Sequence, residues 1–206
     1  MAVKICGVTN RDDALGAVEA GADVLGFNTW TGSKRYLDLE TNASWIAGVP
    51  VSRVALLVNA SLEEAARVAA LPFIDALQLH GDEDATYCAA AAQLGKPIIK
   101  ALRVRGAEDF AAAESFGTPR LLLDAQVPGA YGGTGARVEV GLVQEFSKRH
   151  PNLELWLAGG LLPGNVADAV RAVRPRVVDV SSGVESQPGK KDFARMQAFC
   201  AAARGA

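Results

Sequence analysis

The sequence predicts one (β/α)8 barrel of the TIM type spanning residues 1–206, and three observations predict it. Short apolar runs rich in Val, Ile and Leu alternate about eight times with helix-patterned segments, the signature of parallel strands covered on both faces. No linker or shift in composition divides the chain, and its 206 residues lie near the lower limit of about 200 for this architecture. The open doubly wound sheet, the main alternative, usually carries GxGxxG after its first strand, and none stands there.

The strands are expected at Val3–Cys6, Asp23–Phe27, Arg53–Val58, Ile74–Leu79, Pro97–Ala101, Arg120–Leu123, Glu154–Leu157 and Val177–Val180. Thr9 and Asp12 start the first helix and Gly21 stops it. Ser61 and Glu64 form a capping box, because the Ser hydroxyl and Glu carboxylate can each satisfy an orphan N–H. Asp82 opens an alanine-rich helix that runs to Leu94 before Gly95. Arg137 to Arg149, Pro163 to Val173 and Lys191 to Arg204 complete the series, with a weaker crossover at Leu39 to Ala47.

Composition excludes several classes of function. The formal net charge is -2 and no block of like charges stands out, so neither nucleic acid nor a membrane surface is an expected partner. No apolar run approaches the ~20 residues that span a bilayer, and the N-terminus lacks the pattern of a signal peptide. Cys6, Cys88 and Cys200 are too few and too scattered for a disulfide framework and suit a reducing cytoplasm. Cys88 and Cys200 lie on helices and read as packing residues. His80 and His150 are the only histidines, and His150, before Pro151, is expected in solvent. The protein is expected to be a monomer or homodimer.

Barrels carry their chemistry at the carboxyl ends of the strands. Those positions hold Cys6, Asn28, Asn59, Gln78 with His80, Lys100 with Arg103, Asp124, Gly159-Gly160 and Ser181-Ser182-Gly183. Cys6 and Asp124 are a candidate base and acid on one rim. The glycines and serines after the seventh and eighth strands suit a phosphate, because backbone N–H groups converge on an anion most easily where no Cβ intervenes. If Cys6 points into the barrel top, alternation puts Lys4 inward one layer lower and relates Ser181 to Asp179 in the same way. The first and eighth strands adjoin in a closed barrel, so Lys4 and Asp179 should pair inside it, as a buried lysine requires.

The ordered set of motifs resembles the phosphoribosylanthranilate isomerase family of tryptophan biosynthesis. The matching segments are Lys4-Ile5-Cys6-Gly7, Gln78-Leu79-His80-Gly81, Leu122-Leu123-Asp124, Gly132-Gly133-Thr134-Gly135, Leu157 to Leu161 with Pro163, Asn165 and Val166, Asp179 to Glu185, and Gly189 with Lys191-Asp192. The resemblance implies an Amadori rearrangement of N-(5-phosphoribosyl)anthranilate to 1-(2-carboxyphenylamino)-1-deoxyribulose 5-phosphate, without metal or organic cofactor. It makes Asp124 the general acid and Cys6 the general base. A thiol of ordinary pKa near ~8.5 must lose its proton for that role, and Lys4 is the candidate cation to help it. Arg35 matches the arginine expected to meet the anthranilate carboxylate. His80, Gly81, Gly133, Gly159, Gly160, Ser181, Ser182 and Gly183 complete the expected substrate contacts.

Two stretches depart from the family pattern. Asn28-Thr29-Trp30-Thr31 and Lys34 stand where apolar or aromatic residues and a proline are usual, and Ala136-Arg137-Val138-Glu139 replaces aromatic and acidic residues. Both lie where the anthranilate ring is expected, and Trp30 is a candidate replacement for stacking. Two other readings compete. One is another phosphosugar isomerase on the same barrel, such as the histidine-pathway enzyme, which runs on two carboxylates rather than a cysteine and one carboxylate. The other is a catalytically silent phosphosugar-binding barrel.

Overall fold

The computed structural model describes residues 1–104, 106, 109–110, 113–124 and 140–206. Strands β1 (Ala2–Cys6), β2 (Val24–Asn28), β3 (Ser52–Leu57), β4 (Ala76–Leu79), β5 (Ile98–Arg103), β6 (Arg120–Asp124), β7 (Glu154–Ala158) and β8 (Val177–Val180) pair in chain order. All are parallel, and β8 closes on β1 with Lys4 opposite Asp179. The expected barrel is therefore present, with strand boundaries moved by one or two residues.

Two apolar layers explain why the strands read as continuous hydrophobic runs. Val24, Val54, Ala76, Ile99, Leu122, Trp156 and Val177 pack together inside the barrel. Ile5, Leu25, Leu57, Leu77, Leu123, Leu157 and Val178 face the other way, into the larger cluster that includes helix residues such as Ala14, Ala65 and Phe199. Each strand thus contributes alternate residues to both layers.

The outer layer is built by α1 (Arg11–Glu19), α2 (Ala43–Ile46), α3 (Leu62–Ala69), α4 (Ala85–Ala92), α5 (Val140–Arg149), α6 (Val166–Val173) and α7 (Phe193–Arg204). Between β5 and β6 the described residues include a turn of 3-10 helix, Glu114–Phe116. The capping box of α3 forms as its sequence dictates, with Ser61 and Glu64 bonding reciprocally. Other helix starts differ from expectation. Asn10 caps α1 by accepting from the Asp13 N–H. Asp84, not Asp82, caps α4, since the Asp82 N–H is held by Asn59 Oδ1 at 2.7 Å in the loop before it. Residues Pro163 to Asn165 form a turn before α6, because the Asn165 amide bridges the Leu162 N–H and the Gly160 carbonyl. Lys191 belongs to a strand, and Asp192 caps α7. The weak second crossover reduces to the single turn α2, where Trp45 meets the Phe27 ring edge-on at 5.8 Å. The expected α5 start at Arg137 lies outside the described residues.

After β8 the chain makes a short antiparallel hairpin, β9 (Glu185–Gln187) with β10 (Lys190–Lys191). His150 is not in solvent as expected. Its side chain is 11% exposed, its ring lies 4.7 Å from that of Phe146, and its Nδ1 is 3.1 Å from Glu114 Oε1. An imidazole body buries well against a phenyl ring while its nitrogen keeps a polar partner.

Candidate active site

A pocket of about 680 Å³ opens at the carboxyl ends of the strands, and both Cys6 and Asp124 line it. Inward parity places them there. Lys4 and Cys6 share one face of β1, and both crowd Gly26 on β2: a Cβ on Gly26 would lie 2.8 Å from the Cys6 sulfur and 3.0 Å from Lys4 Nζ. Lys4 is fully buried and meets Asp179 Oδ1 at 2.9 Å, as strand alternation predicts.

Burial pushes the Cys6 thiol above its ordinary pKa; the Lys4 ammonium pulls it down, Asp179 pushes it up, and burial wins. The expected cation is therefore in place beside the sulfur, yet burial favours a neutral thiol. On the other side Asp179 and Cys6 hold the Lys4 ammonium above its ordinary value against its burial.

Asp124 ends β6 and turns one oxygen toward His80. His80 Nε2 lies 3.6 Å from Asp124 Oδ2, and its Nδ1 lies 2.7 Å from Gln78 Nε2. The Gln78 amide donates to Nδ1, which leaves the ring proton on Nε2, facing Asp124. Asp124 Oδ1 and Gln78 Oε1 are buried and lack hydrogen-bond partners in the described structure. Buried polar atoms are nearly always paired, so two orphans in one short chain of residues lining a pocket point to a polar ligand.

On the β7–β8 side, Gly159, Gly160, Ser181, Ser182 and Gly183 line the same pocket. Gly159 and Gly160 take φ of 91° and 62°, in the left-handed region that glycine adopts without strain. Arg35 and the exposed Trp30 border the pocket from the loop after β2. That loop is pinned, in spite of Lys34, by Asn28, which takes the Trp30 N–H and donates to Ser33 Oγ; Ser33 in turn accepts the Arg35 N–H. The Arg35 guanidinium makes a bidentate pair with Glu185, Nε to Oε1 at 2.7 Å and Nη2 to Oε2 at 2.6 Å.

Not every rim residue faces the pocket. Gly81 is outside its lining; the Gly81 N–H is held by the Glu83 carboxylate and its carbonyl accepts from Lys100. Lys100 has the opposite parity to Ala101 and Arg103 and turns away from the barrel interior, pairing with Glu83 at 2.7 Å where both are 2% exposed. The need of a buried lysine for a carboxylate, used to pair Lys4, could have found Glu83 as well. Glu83 also accepts the Asn59 N–H, so this pair ties together the loops after β3 and β4 that carry Asn59 and His80. Gly133 and the Gly132 to Glu139 stretch lie outside the described residues. Cys88 and Cys200 are buried, and burial raises both thiols to about 11.

Residues 3–202 match the family of N-(5'-phosphoribosyl)anthranilate (PRA) isomerase. The isomerase of that name from Neisseria meningitidis serogroup C is 45% identical over 205 residues, covering 97% of this chain and 95% of the relative. That from Thiobacillus denitrificans is 46% identical over 211 residues, covering 98% and 97%. Among solved structures, phosphoribosyl anthranilate isomerase from Thermotoga maritima superposes with a TM-score of 0.92 at 40% identity, each chain covered in full. A phosphoribosyl anthranilate isomerase in complex with reduced 1-(o-carboxyphenylamino)-1-deoxyribulose 5-phosphate gives 0.85 at 37% identity, again covering both chains in full. The chain belongs to the phosphoribosylanthranilate isomerase family.

Proposed function

We propose that Asp124 and Cys6 carry the proton transfers of the family's reaction, the Amadori rearrangement of N-(5'-phosphoribosyl)anthranilate in tryptophan biosynthesis. One observation carries this reading: a thiol and a half-partnered carboxyl group share a pocket with a glycine- and serine-lined rim. Asp124 protonates the ribose ring oxygen through Oδ1, the buried oxygen without a hydrogen-bond partner among the described residues, and the furanose opens to a protonated Schiff base. The Nε2–H of His80 then faces the carboxylate that remains. Cys6 removes the proton from C2, giving an enolamine. Tautomerisation delivers a proton to C1 and leaves the C2 ketone, so protons and electrons balance within one isomerisation.

The raised thiol fits this order of events. Cys6 is neutral in the ligand-free enzyme; as the cationic Schiff base forms close to the sulfur, the thiol gives its proton to solvent and the thiolate takes the C2 proton, while Asp124 regains a proton from solvent after turnover. The phosphate is assigned to Gly159, Gly160, Ser181, Ser182 and Gly183, where backbone N–H groups are accessible. Arg35 takes the anthranilate carboxylate with the Nη1 side that Glu185 leaves open, and Trp30 stacks on the ring. Gly133 is proposed to complete the substrate contacts. Gly81 is assigned an indirect part, through the loop that presents His80. The reaction needs no metal or organic cofactor. Among the described residues no helix is long and apolar enough to cross a membrane. We assign the protein to the cytoplasm, as a monomer or homodimer without a nucleic-acid partner.

The test is turnover and ligand binding in Cys6→Ala and Asp124→Ala. Each group contributes on the order of 10²–10⁴-fold, so each variant should lose nearly all turnover while binding a product analogue with modest loss. Near-normal turnover in either variant removes that residue from its role. Complementation of a tryptophan auxotroph lacking this isomerase tests the activity itself; failure by soluble, well-expressed protein counts against it.

A further inference from the structure

Glu185 and Lys191, on the hairpin after β8, belong to the motifs shared with the family but have no part in the acid–base chemistry. Glu185 Oε1 accepts from Arg35 Nε at 2.7 Å and also from Lys191 Nζ at 2.9 Å. Lys191 Nζ donates further to the Cys6 carbonyl at 2.6 Å and the Ser181 carbonyl at 3.2 Å. Three acceptors occupy three N–H bonds, so the buried amine is a complete ammonium. The arrangement opposes what burial does to each group separately. Burial lowers the Lys191 pKa, and it would raise that of Glu185, but the Arg35 and Lys191 contacts hold the carboxylate below its ordinary value.

Two cations therefore share one carboxylate, and the cluster carries one net positive charge. The side chains of Lys191 and Glu185 are 0% and 4% exposed, whereas that of Arg35 is 23% exposed and borders the pocket. The excess charge reaches the pocket at Arg35. An isolated Arg35–Glu185 pair would be neutral and would draw a second carboxylate only weakly. Lys34, also on the pocket wall, is exposed to solvent, where its charge is screened.

We propose that Lys191 is a specificity-determining positioning residue: without touching the ligand, it neutralises Glu185, leaves the Arg35 charge uncompensated toward the pocket, and so favours an arylamine bearing an ortho-carboxylate over the same arylamine without it. This deepens the assignment of Arg35 to the carboxylate and rests on it.

The experiment is calorimetric titration with two probes, reduced 1-(o-carboxyphenylamino)-1-deoxyribulose 5-phosphate and its phenylamino analogue without the carboxylate. The readout is the ratio of their dissociation constants. In Lys191→Met the preference for the carboxylated probe should fall by about tenfold or more, with the other probe little changed. In Glu185→Gln, which leaves both cations without their anion, the preference should hold or grow. A structural role for Lys191 would weaken both probes alike, and an unchanged ratio overturns the proposal. If Lys191→Met does not fold, a reduced preference in Glu185→Gln overturns it instead. Arg35→Gln separates the two claims. Loss of preference there, with none in Lys191→Met, refutes only the role of Lys191, whereas an intact preference in Arg35→Gln refutes the Arg35 assignment and the proposal together.

Discussion

Lys4 and Asp179 stand opposite each other in the register of the first and last barrel strands, and their side chains meet at 2.9 Å inside the barrel. The pair closes the barrel below the Cys6 thiol and places an ammonium beside it, which pulls the thiol pKa down against burial. In Lys4→Met the Asp179 carboxylate is left buried and alone, which should cost ~3–5 kcal/mol. Chemical denaturation measures this. Lys4→Met with Asp179→Asn should recover much of that loss, because no unpaired charge remains, but should not restore turnover. Full activity in the double variant would show that Cys6 does not need the ammonium.

The pH dependence of kcat/KM reports the same thiol in the free enzyme. Cys6 has its pKa raised, so its proton is held near neutral pH and released only above the ordinary thiol value. If the thiolate is the base, kcat/KM should climb on the alkaline side through that raised pKa. Alkylation of Cys6 by iodoacetamide in the ligand-free enzyme should follow the same curve. A rate already on its plateau at pH 7, with slow alkylation there, would contradict the assignment.

His80 faces Asp124 Oδ2 at 3.6 Å, longer than a hydrogen bond, and is turned by Gln78 so that its N–H points at that oxygen. If Asp124 is the acid, the contact should tighten when it gives up its proton. Hydrogen bonds to charged groups are worth ~1.5–3 kcal/mol, so His80→Ala should lower kcat by about 10–100-fold with a smaller change in KM. A change confined to KM would instead make His80 a binding residue only.

How much of this was legible in the sequence depended on range. Strand ends placed Cys6 and Asp124 on the rim, and alternation with barrel closure placed Lys4 against Asp179, because these follow from local pattern and chain order alone. The capping box at Ser61 was legible because it spans three residues and satisfies itself. Asp82 and Asp84 competed for one cap, and the choice was made by Asn59, which reaches across from another loop. Lys100 carried the right residue type on the wrong parity for a rim group. The Arg35–Glu185 pair joins residues 150 apart, which no local pattern foretells. Matching motifs marked Glu185 and Lys191 as worth attention; only the folded hairpin brings Glu185 to Arg35 and Lys191 to Glu185.

Gly183 gives the sharpest steric test of the phosphate assignment. A Cβ there would press into the Leu161 carbonyl oxygen, with Leu162 and Val180 side chains at 3.1 Å. The carbonyl is backbone in the loop after β7, so it cannot rotate aside as a side chain would. Gly183→Ala must push the loop after β8 away from the loop after β7, widening the gap between Gly160 and Ser182. Only Leu161 and Val184 of these loops reach the outer apolar layer, so the fold should survive with a measurable loss of stability. Affinity for inorganic phosphate and KM for the phosphorylated substrate should both worsen, by about tenfold if one charge-assisted contact is lost. Calorimetric titration with phosphate, alongside a thermal melt, measures both effects. Unchanged phosphate affinity in a folded Gly183→Ala protein would place the phosphate elsewhere in the pocket.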